Sequence, residues 1–166
     1  MSKRYLTNAL FTVVLCTYPS IAMAQWAESG VDVGPGFANG SASADGEWTF
    51  VDTSSRVNGA NSLGHGVAIG AGPNGISFSH SIGFNSGGVG AGHNMNMTIG
   101  QNGTHVSNGQ VVTQGGNSQV VVGGGSGQYG GGISGGSMVT GYGDVTYGQS
   151  QSHTHVFPRF RRRFGG

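Results

Sequence analysis

Larger residues and small residues alternate through residues 62–103 in three consecutive runs. The intervening positions hold mainly Ser, Gly, Ala, Asn and Thr. A period of two is typical of β-strands that bury one face and expose the other, and we expect the larger residues to form the buried face. Those larger residues are Leu63, His65, Val67, Ile69 and Ala71, then Ile76, Phe78, His80, Ile82 and Phe84, then Val89, Ala91, His93, Met95, Met97 and Ile99.

Turn signals separate the three runs and predict how the strands pair. Asn-Gly is favoured in two-residue hairpin turns because both central residues need a positive φ. Turns at these sites would pair Ile69 with His80, His80 with His93 and Ile99 with Val106, keeping the larger side chains on one face. The sequence therefore predicts an all-β fold, an antiparallel Gly-rich meander, with a short β-solenoid as the alternative because the turn signals recur regularly. The three turns lie at Asn74-Gly75, Ser86-Gly87 and Asn102-Gly103.

The start of the chain predicts export. Lys3 and Arg4 precede an apolar stretch that ends in the small-residue site Ala22-Met23-Ala24. This is the pattern of a secretory signal peptide, so we expect residues 1–24 to be removed after Ala24 and the protein to be secreted or periplasmic. The apolar stretch is too short for a membrane-spanning helix.

The rest of the chain divides by composition into three parts. Residues 25–45 contain Pro35 and several small polar residues and predict a flexible, extended lead-in. Residues 46–157 form the predicted Gly-rich all-β domain, with further strands expected at 104–113, 119–122 and 145–157. Residues 123–136 have few side chains that could anchor a fold, which leaves open whether 123–143 are ordered. Residues 158–166 form a basic, aromatic tail expected to be flexible.

Charge and cysteine content narrow the classes of function. No Asp, Glu, Lys or Arg occurs between Arg56 and Asp144, and 35 of the 166 residues are glycine. Sheet proteins usually carry charges on edge strands to prevent association, so either the edges are covered or association is the purpose. The only cysteine, Cys16, lies in the predicted signal peptide, which excludes disulfides and thiolate chemistry in the mature chain.

Histidines on the larger-residue face suggest a metal site. The predicted register places His80 directly opposite His93, with His65 and Met95 on the same face. Opposed Cβ atoms lie about 4.5–5.5 Å apart, which allows two imidazoles to share a metal. Zinc or copper would fit, and the thioether favours copper(I). The alternative is that these histidines only fill a half-buried face and bond to serine or backbone groups.

Arginines interleave with phenylalanines in the C-terminal tail. This pattern suits anionic partners such as an acidic polysaccharide or a membrane surface, without specific nucleic-acid recognition. A solubilising terminus is the alternative. The predicted anion-binding residues are Arg159, Arg161, Arg162 and Arg163.

Catalytic motifs are not expected in this chain. Carboxylate pairs would have to come from the first third of the chain or Asp144, and the Gly-rich segments lack the Lys-Ser/Thr of a phosphate loop. We therefore predict a non-enzymatic, exported structural or surface-interaction protein, a self-associating component of an extracellular matrix, without a cofactor. The alternative is a secreted or periplasmic module that binds copper or zinc through His65, His80, His93 and Met95.

Overall fold

The computed structural model describes residues 25–129 and 132–158 and is built entirely from antiparallel β-strands, which confirms the all-β class. In this part of the chain, no helix is long and apolar enough to cross a membrane. The signal peptide predicted for residues 1–24 lies outside the described residues. The strands are β1 Gln25–Gly34, β2 Phe37–Asp45, β3 Trp48–Asn58, β4 Asn61–Gly72, β5 Gly75–Ser86, β6 Val89–Gly100, β7 Gly103–Gln114, β8 Gln119–Tyr129, β9 Gly132–Tyr142 and β10 Val145–Val156.

The strands form two sheets that pack face to face. The four-stranded sheet has the order β2-β1-β8-β9, and the six-stranded sheet has the order β10-β7-β6-β5-β4-β3. Strands β3 to β7 follow chain order, and β10 returns beside β7. The chain passes between the sheets after β2, after β7 and after β9.

The predicted lead-in is wrong as a description of residues 25–45, because they form β1 and β2. Strand β1 pairs with β2 on one side and with β8 on the other. Its buried inward positions alternate with less buried outward positions, which is the pattern of a half-buried strand. The inward residues Ala27, Ser29, Val31 and Val33 are all buried.

The Gly-rich segment 123–136 is also ordered as strand wherever the structure describes it. Strands β8 and β9 pair from Gln119 with Tyr142 to Tyr129 with Gly132. Backbone pairing replaces side-chain anchoring here. The two strands approach so closely that a Cβ on Gly124 would collide with the carbonyl oxygen of Gly136.

The observed register differs from the predicted one by two residues at each hairpin. Ile69 pairs with Phe78, and Gly72 pairs with Gly75, so Pro73-Asn74 form the first turn. Proline supplies the φ that the first central position of a common turn requires, which outweighed the Asn-Gly signal. A two-residue shift keeps every side chain on its face because the strand period is two.

The second hairpin turns at two glycines rather than at Ser86-Gly87. Gly87 and Gly88 have φ values of 59° and 77°, and Ser86 pairs with Val89. A turn with two positive φ angles favours glycine at both positions. The third hairpin shows the same shift, since Met97 rather than Ile99 pairs with Val106.

The predicted inside and outside faces of the six-stranded sheet are reversed. The small residues Ser77, Ser79 and Ser81 are buried, whereas Val106 and Val112 are 41% and 50% exposed. The four-stranded sheet covers the small-residue face, and the larger side chains point outward. The prediction that bulky groups from Leu63 through Ile99 share one side of neighbouring strands is confirmed.

Valines of the four-stranded sheet fit into spaces left by glycines of the six-stranded sheet. A Cβ on Gly64 would lie 2.6 Å from Val31 Cγ1, and one on Gly92 would lie 2.6 Å from Val120 Cγ1. Five valines form the buried apolar cluster, four on the four-stranded sheet and Val111 on β7 of the six-stranded sheet, where it packs against Gly141. Glycine on one sheet is therefore matched by a branched side chain on the other. The five valines are Val31, Val33, Val111, Val120 and Val122.

A hydrogen-bonded layer of serine and asparagine fills the interior beside the valines. Ser29 Oγ lies 2.8 Å from Ser79 Oγ and 2.9 Å from Ser81 Oγ, which joins the two sheets. Asn96 Nδ2 donates to the carbonyl oxygen of Gly136 at 2.9 Å. Buried polar groups are tolerated when they are hydrogen-bonded, and each of these bonds also fixes the position of one sheet on the other.

Candidate functional site

The outer face of the six-stranded sheet is a broad apolar surface, which we call the apolar face. Paired residues point to the same side, so rows of side chains cross all six strands. Isolated exposed apolar residues are ordinary, but a contiguous surface of this kind is a candidate interaction site. Its exposed large residues are Trp48, Phe50, Leu63, Ile76, Ile82, Phe84, Val89, Met95, Ile99, Val106, Val112 and Tyr147.

Charge is confined to one margin of the apolar face. Asp52 pairs with Val67 and Arg56 with Leu63, so both charged residues point outward on the edge strand β3. The outward positions of β4, β5, β6, β7 and β10 carry no Asp, Glu, Lys or Arg. The centre of the face therefore presents apolar, amide and imidazole groups.

The structure gathers the predicted metal residues on the apolar face but changes their neighbours. His80 pairs with Met95 and not with His93, which pairs instead with Ile82. His80 is diagonal to His65 on one side and to His93 on the other. The ring centroids of His65 and His80 are 5.1 Å apart with the rings edge to face.

The environment of His80 favours its neutral form. Partial burial lowers the pKa of the His80 imidazole, and positive charge on His65 and His93 lowers it further. A neutral imidazole is the form that binds a metal. In residues 25–129 and 132–158, however, no three or more His, Cys, Asp or Glu side chains are grouped so that they could hold a metal ion.

The predicted anion-binding residues cannot be placed. Arg159, Arg161, Arg162 and Arg163 lie outside the described residues. The strand that precedes them, β10, ends at Val156, and the Phe157 N–H donates to the carbonyl oxygen of Asn102 at 2.9 Å.

A second surface, which the sequence reasoning missed, lies on the outer face of the four-stranded sheet. It is a groove of about 260 Å³ whose lining includes Trp26, Glu28, Gly125, Gly127 and Tyr129, and we call it the acidic groove. The glycines form its floor, since a Cβ on Gly127 would lie 2.6 Å from Trp26 Cβ. The alternation of residues 26–33 was the signal that could have placed Trp26 and Glu28 on this face.

The electrostatics of the acidic groove are negative. Partial burial raises the pKa of the Tyr129 phenol, and the negative charges of Glu28 and Asp45 raise it further. Asp45 pairs with Trp26 across β1 and β2, which places its carboxylate on the same outer face. Arg56 is the one Lys or Arg in the described ranges, and it lies on the other sheet.

Comparisons of the chain with protein-family models, with curated proteins and with solved structures give no match.

Proposed function

We propose that this chain is an exported structural or surface-interaction protein that associates with copies of itself, as a component of an extracellular matrix would. The observation that carries the proposal is the apolar face. Phe84 and Ile99 are 46% and 45% exposed there, on neighbouring strands, and other large apolar residues surround them. Association would remove these side chains from water, which is the main driving force for protein assembly.

The size of the apolar face is sufficient for a stable contact. Six strands spaced about 4.8 Å apart, with about 12 residues rising about 3.3 Å each, cover roughly 1,100 Å². A standard protein interface buries about 800 Å² on each partner. A second copy of the chain can supply the same centre without Asp, Glu, Lys or Arg, so a two-fold contact between two apolar faces joins like to like.

An edge strand supports growth beyond a pair. Strand β10 forms one edge of the six-stranded sheet, and its residues Val145–Val156 include no Asp, Glu, Lys or Arg. Long uncharged edges favour pairing with another strand. A face contact alone closes into a dimer, whereas added edge pairing would extend the assembly.

Paired substitutions on the apolar face test the proposal. We expect the Phe84→Gln, Ile99→Gln double variant to associate about tenfold to a hundredfold more weakly, because two half-exposed apolar side chains contribute about 1–3 kcal/mol together. The association constant is measured by sedimentation velocity across a range of protein concentrations.

The control variant changes similarly exposed residues on the other sheet, Met138→Gln with Tyr142→Gln. It should associate like the unaltered chain. A chain that stays monomeric at high concentration, or a face variant that associates normally, would contradict the proposal.

A copper(I)-binding module is the second candidate function. The specific observation in its favour is that His80 is paired with Met95 and in ring contact with His65. Two imidazoles and one thioether form a ligand set that suits copper(I) better than zinc, which takes four ligands in structural sites.

Competition for copper(I) against a coloured chelator tests the second candidate. We expect His80→Gln and Met95→Leu each to weaken copper(I) binding by about tenfold or more, as loss of one of three ligands should. Met138→Leu, on the opposite sheet, should leave the affinity unchanged. Equal affinity in the unaltered chain and in His80→Gln would exclude this site.

A further inference from the structure

The acidic groove is smaller than the sites that usually enclose small-molecule ligands. Its volume of about 260 Å³ is below the range of about 300–1,000 Å³ that encloses small-molecule ligands. Its lining combines two glycines, Gly125 and Gly127, with the aromatic residues Trp26 and Tyr129. A site of this size accepts a long side chain rather than a whole small-molecule ligand.

The chemistry of the acidic groove selects a cationic side chain. Glu28 and Asp45 supply two carboxylates close enough to Tyr129 to raise the pKa of its phenol. Guanidinium groups bind carboxylates through paired hydrogen bonds and stack on aromatic rings. An arginine-containing segment therefore fits the groove better than a lysine-containing or neutral one.

The same chain contains one segment with this chemistry. Residues 158–166 carry four arginines interleaved with two phenylalanines and no acid. In the described ranges the basic residue is Arg56, which points outward from the other sheet and cannot neutralise the groove. The charges of the groove and of the C-terminal segment are complementary.

The C-terminal segment starts at the end of the molecule that carries the acidic groove. Thr154 on β10 lies against His105, since His105 Nδ1 and Thr154 Oγ1 are 2.7 Å apart. His105 in turn lies under Gly135, where an added Cβ would be 2.6 Å from His105 Nε2. Gly135 lines the groove, so the chain leaves β10 close to it.

The length of the C-terminal segment is adequate for this contact. Five extended residues, 159–163, reach at most about 16–18 Å. The two sheets of such a sandwich are about 10 Å apart, so the segment can pass the edge of the four-stranded sheet and lie along its outer face.

We propose that the acidic groove binds the arginine-rich segment 159–163 of the same chain. The contact is independent of the proposed self-association, because it uses the opposite outer surface of the sandwich. The arginines of the C-terminal segment would bind Glu28 and Asp45, and the segment would cover the aromatic side chains of the groove.

Disulfide crosslinking in the full chain tests the proposal. Cys16 is first replaced by serine, so that introduced thiols are the only ones. The pair Ser134→Cys, Phe160→Cys should form an intramolecular disulfide, because Ser134 lines the groove. The matched control pair, Ser54→Cys with Phe160→Cys, places the first thiol on the outer face of the other sheet.

Charge removal from either side should slow the crosslink. We expect Glu28→Gln with Asp45→Asn, or Gln in place of Arg161, Arg162 and Arg163, to slow it about tenfold, since each change removes charge-assisted contacts. The substituted arginines lie beyond the ten strands, so replacing them removes no strand contact. The arginine variant therefore still tests the proposal if the Glu28, Asp45 variant fails to fold. Salt at about 1 M, where the Debye length is about 3 Å, should also slow formation of the crosslink, because it screens the charges.

The outcomes decide between occupants. Intramolecular crosslinking well above the Ser54 control that depends on both sets of charges supports the proposal. Equal crosslinking in the two pairs overturns it. Crosslinks formed only between two chains overturn the binding of the chain's own segment and assign the groove to a neighbouring copy.

Discussion

His105 shows most clearly how one residue is governed by the tertiary structure. It is 1% exposed and points between the sheets, with Nδ1 bonded to Thr154 and Nε2 without a partner. His105 and Val106 are consecutive residues of β7, so their side chains point to opposite faces of the sheet. The sequence pattern assigned Val106 to the buried face. Burial lowers the pKa of the His105 imidazole, so the folded protein holds it neutral.

The stability of the protein should therefore fall as the pH is lowered. Below about pH 6.5, the ordinary pKa of histidine, the unfolded chain binds protons that buried His105 does not, and this favours unfolding until the lowered pKa is reached. The pKa of His80 is also lowered in the folded protein, so His80 adds to the loss of stability as the pH falls. We expect the urea midpoint to decrease between pH 7.5 and about pH 5.

Two glutamine variants identify the histidine responsible for the pH dependence of stability. His105→Gln should reduce the dependence of the urea midpoint on pH. His155→Gln changes an exposed histidine and should leave that dependence unaltered. An identical pH dependence in the His105 variant and the unaltered protein would contradict this assignment.

At the scale of strands, close approach between the sheets explains the glycines on the inner face. Strands β2 and β4 come near enough that a Cβ on Gly66 would lie 2.5 Å from the carbonyl oxygen of Ser41. Backbone atoms cannot move aside as a flexible side chain can. The small-residue parity of β4 is therefore a requirement of sheet packing.

Adding one methyl group at this contact should destabilise the protein. We expect Gly66→Ala to lower the free energy of unfolding by about 1–3 kcal/mol, the usual cost of overpacking an interior, as measured by urea denaturation. Gly136→Ala is the matched strand control, because nothing lies within 4 Å of the added Cβ. Equal stability of the two variants would show that the sheets can separate without cost.

The strands also show how far local patterns predict structure. Alternation located the strands of residues 62–103 and the common side of their bulky residues. Alternation with the turn signals placed the pairing of the strands at each hairpin two residues away from the observed register. The reason is that Pro73-Asn74 and Gly87-Gly88 form the turns in place of the neighbouring Asn-Gly and Ser-Gly signals. The consequence for the candidate site is specific, since His80 lies opposite Met95 rather than His93.

For the whole molecule, the two outer surfaces differ in chemistry. The six-stranded sheet presents the apolar face, with His65, His80 and His93 within it. The four-stranded sheet presents the acidic groove with Glu28 and Tyr129. Self-association and binding of the C-terminal segment can therefore be tested separately, because substitutions on one surface do not touch the other.

The sequence by itself determined the β class, the strands of the central region and the two sets of side chains that alternate along them, because these depend on local geometry with a period of two. Only the tertiary structure decided which set is buried. Strands β1, β2, β8 and β9 form a second sheet whose valines need the space left by glycine and whose serines need hydroxyl and amide partners. That sheet therefore covers the small polar face and leaves the apolar one outside, which reverses the usual inference from hydrophobicity.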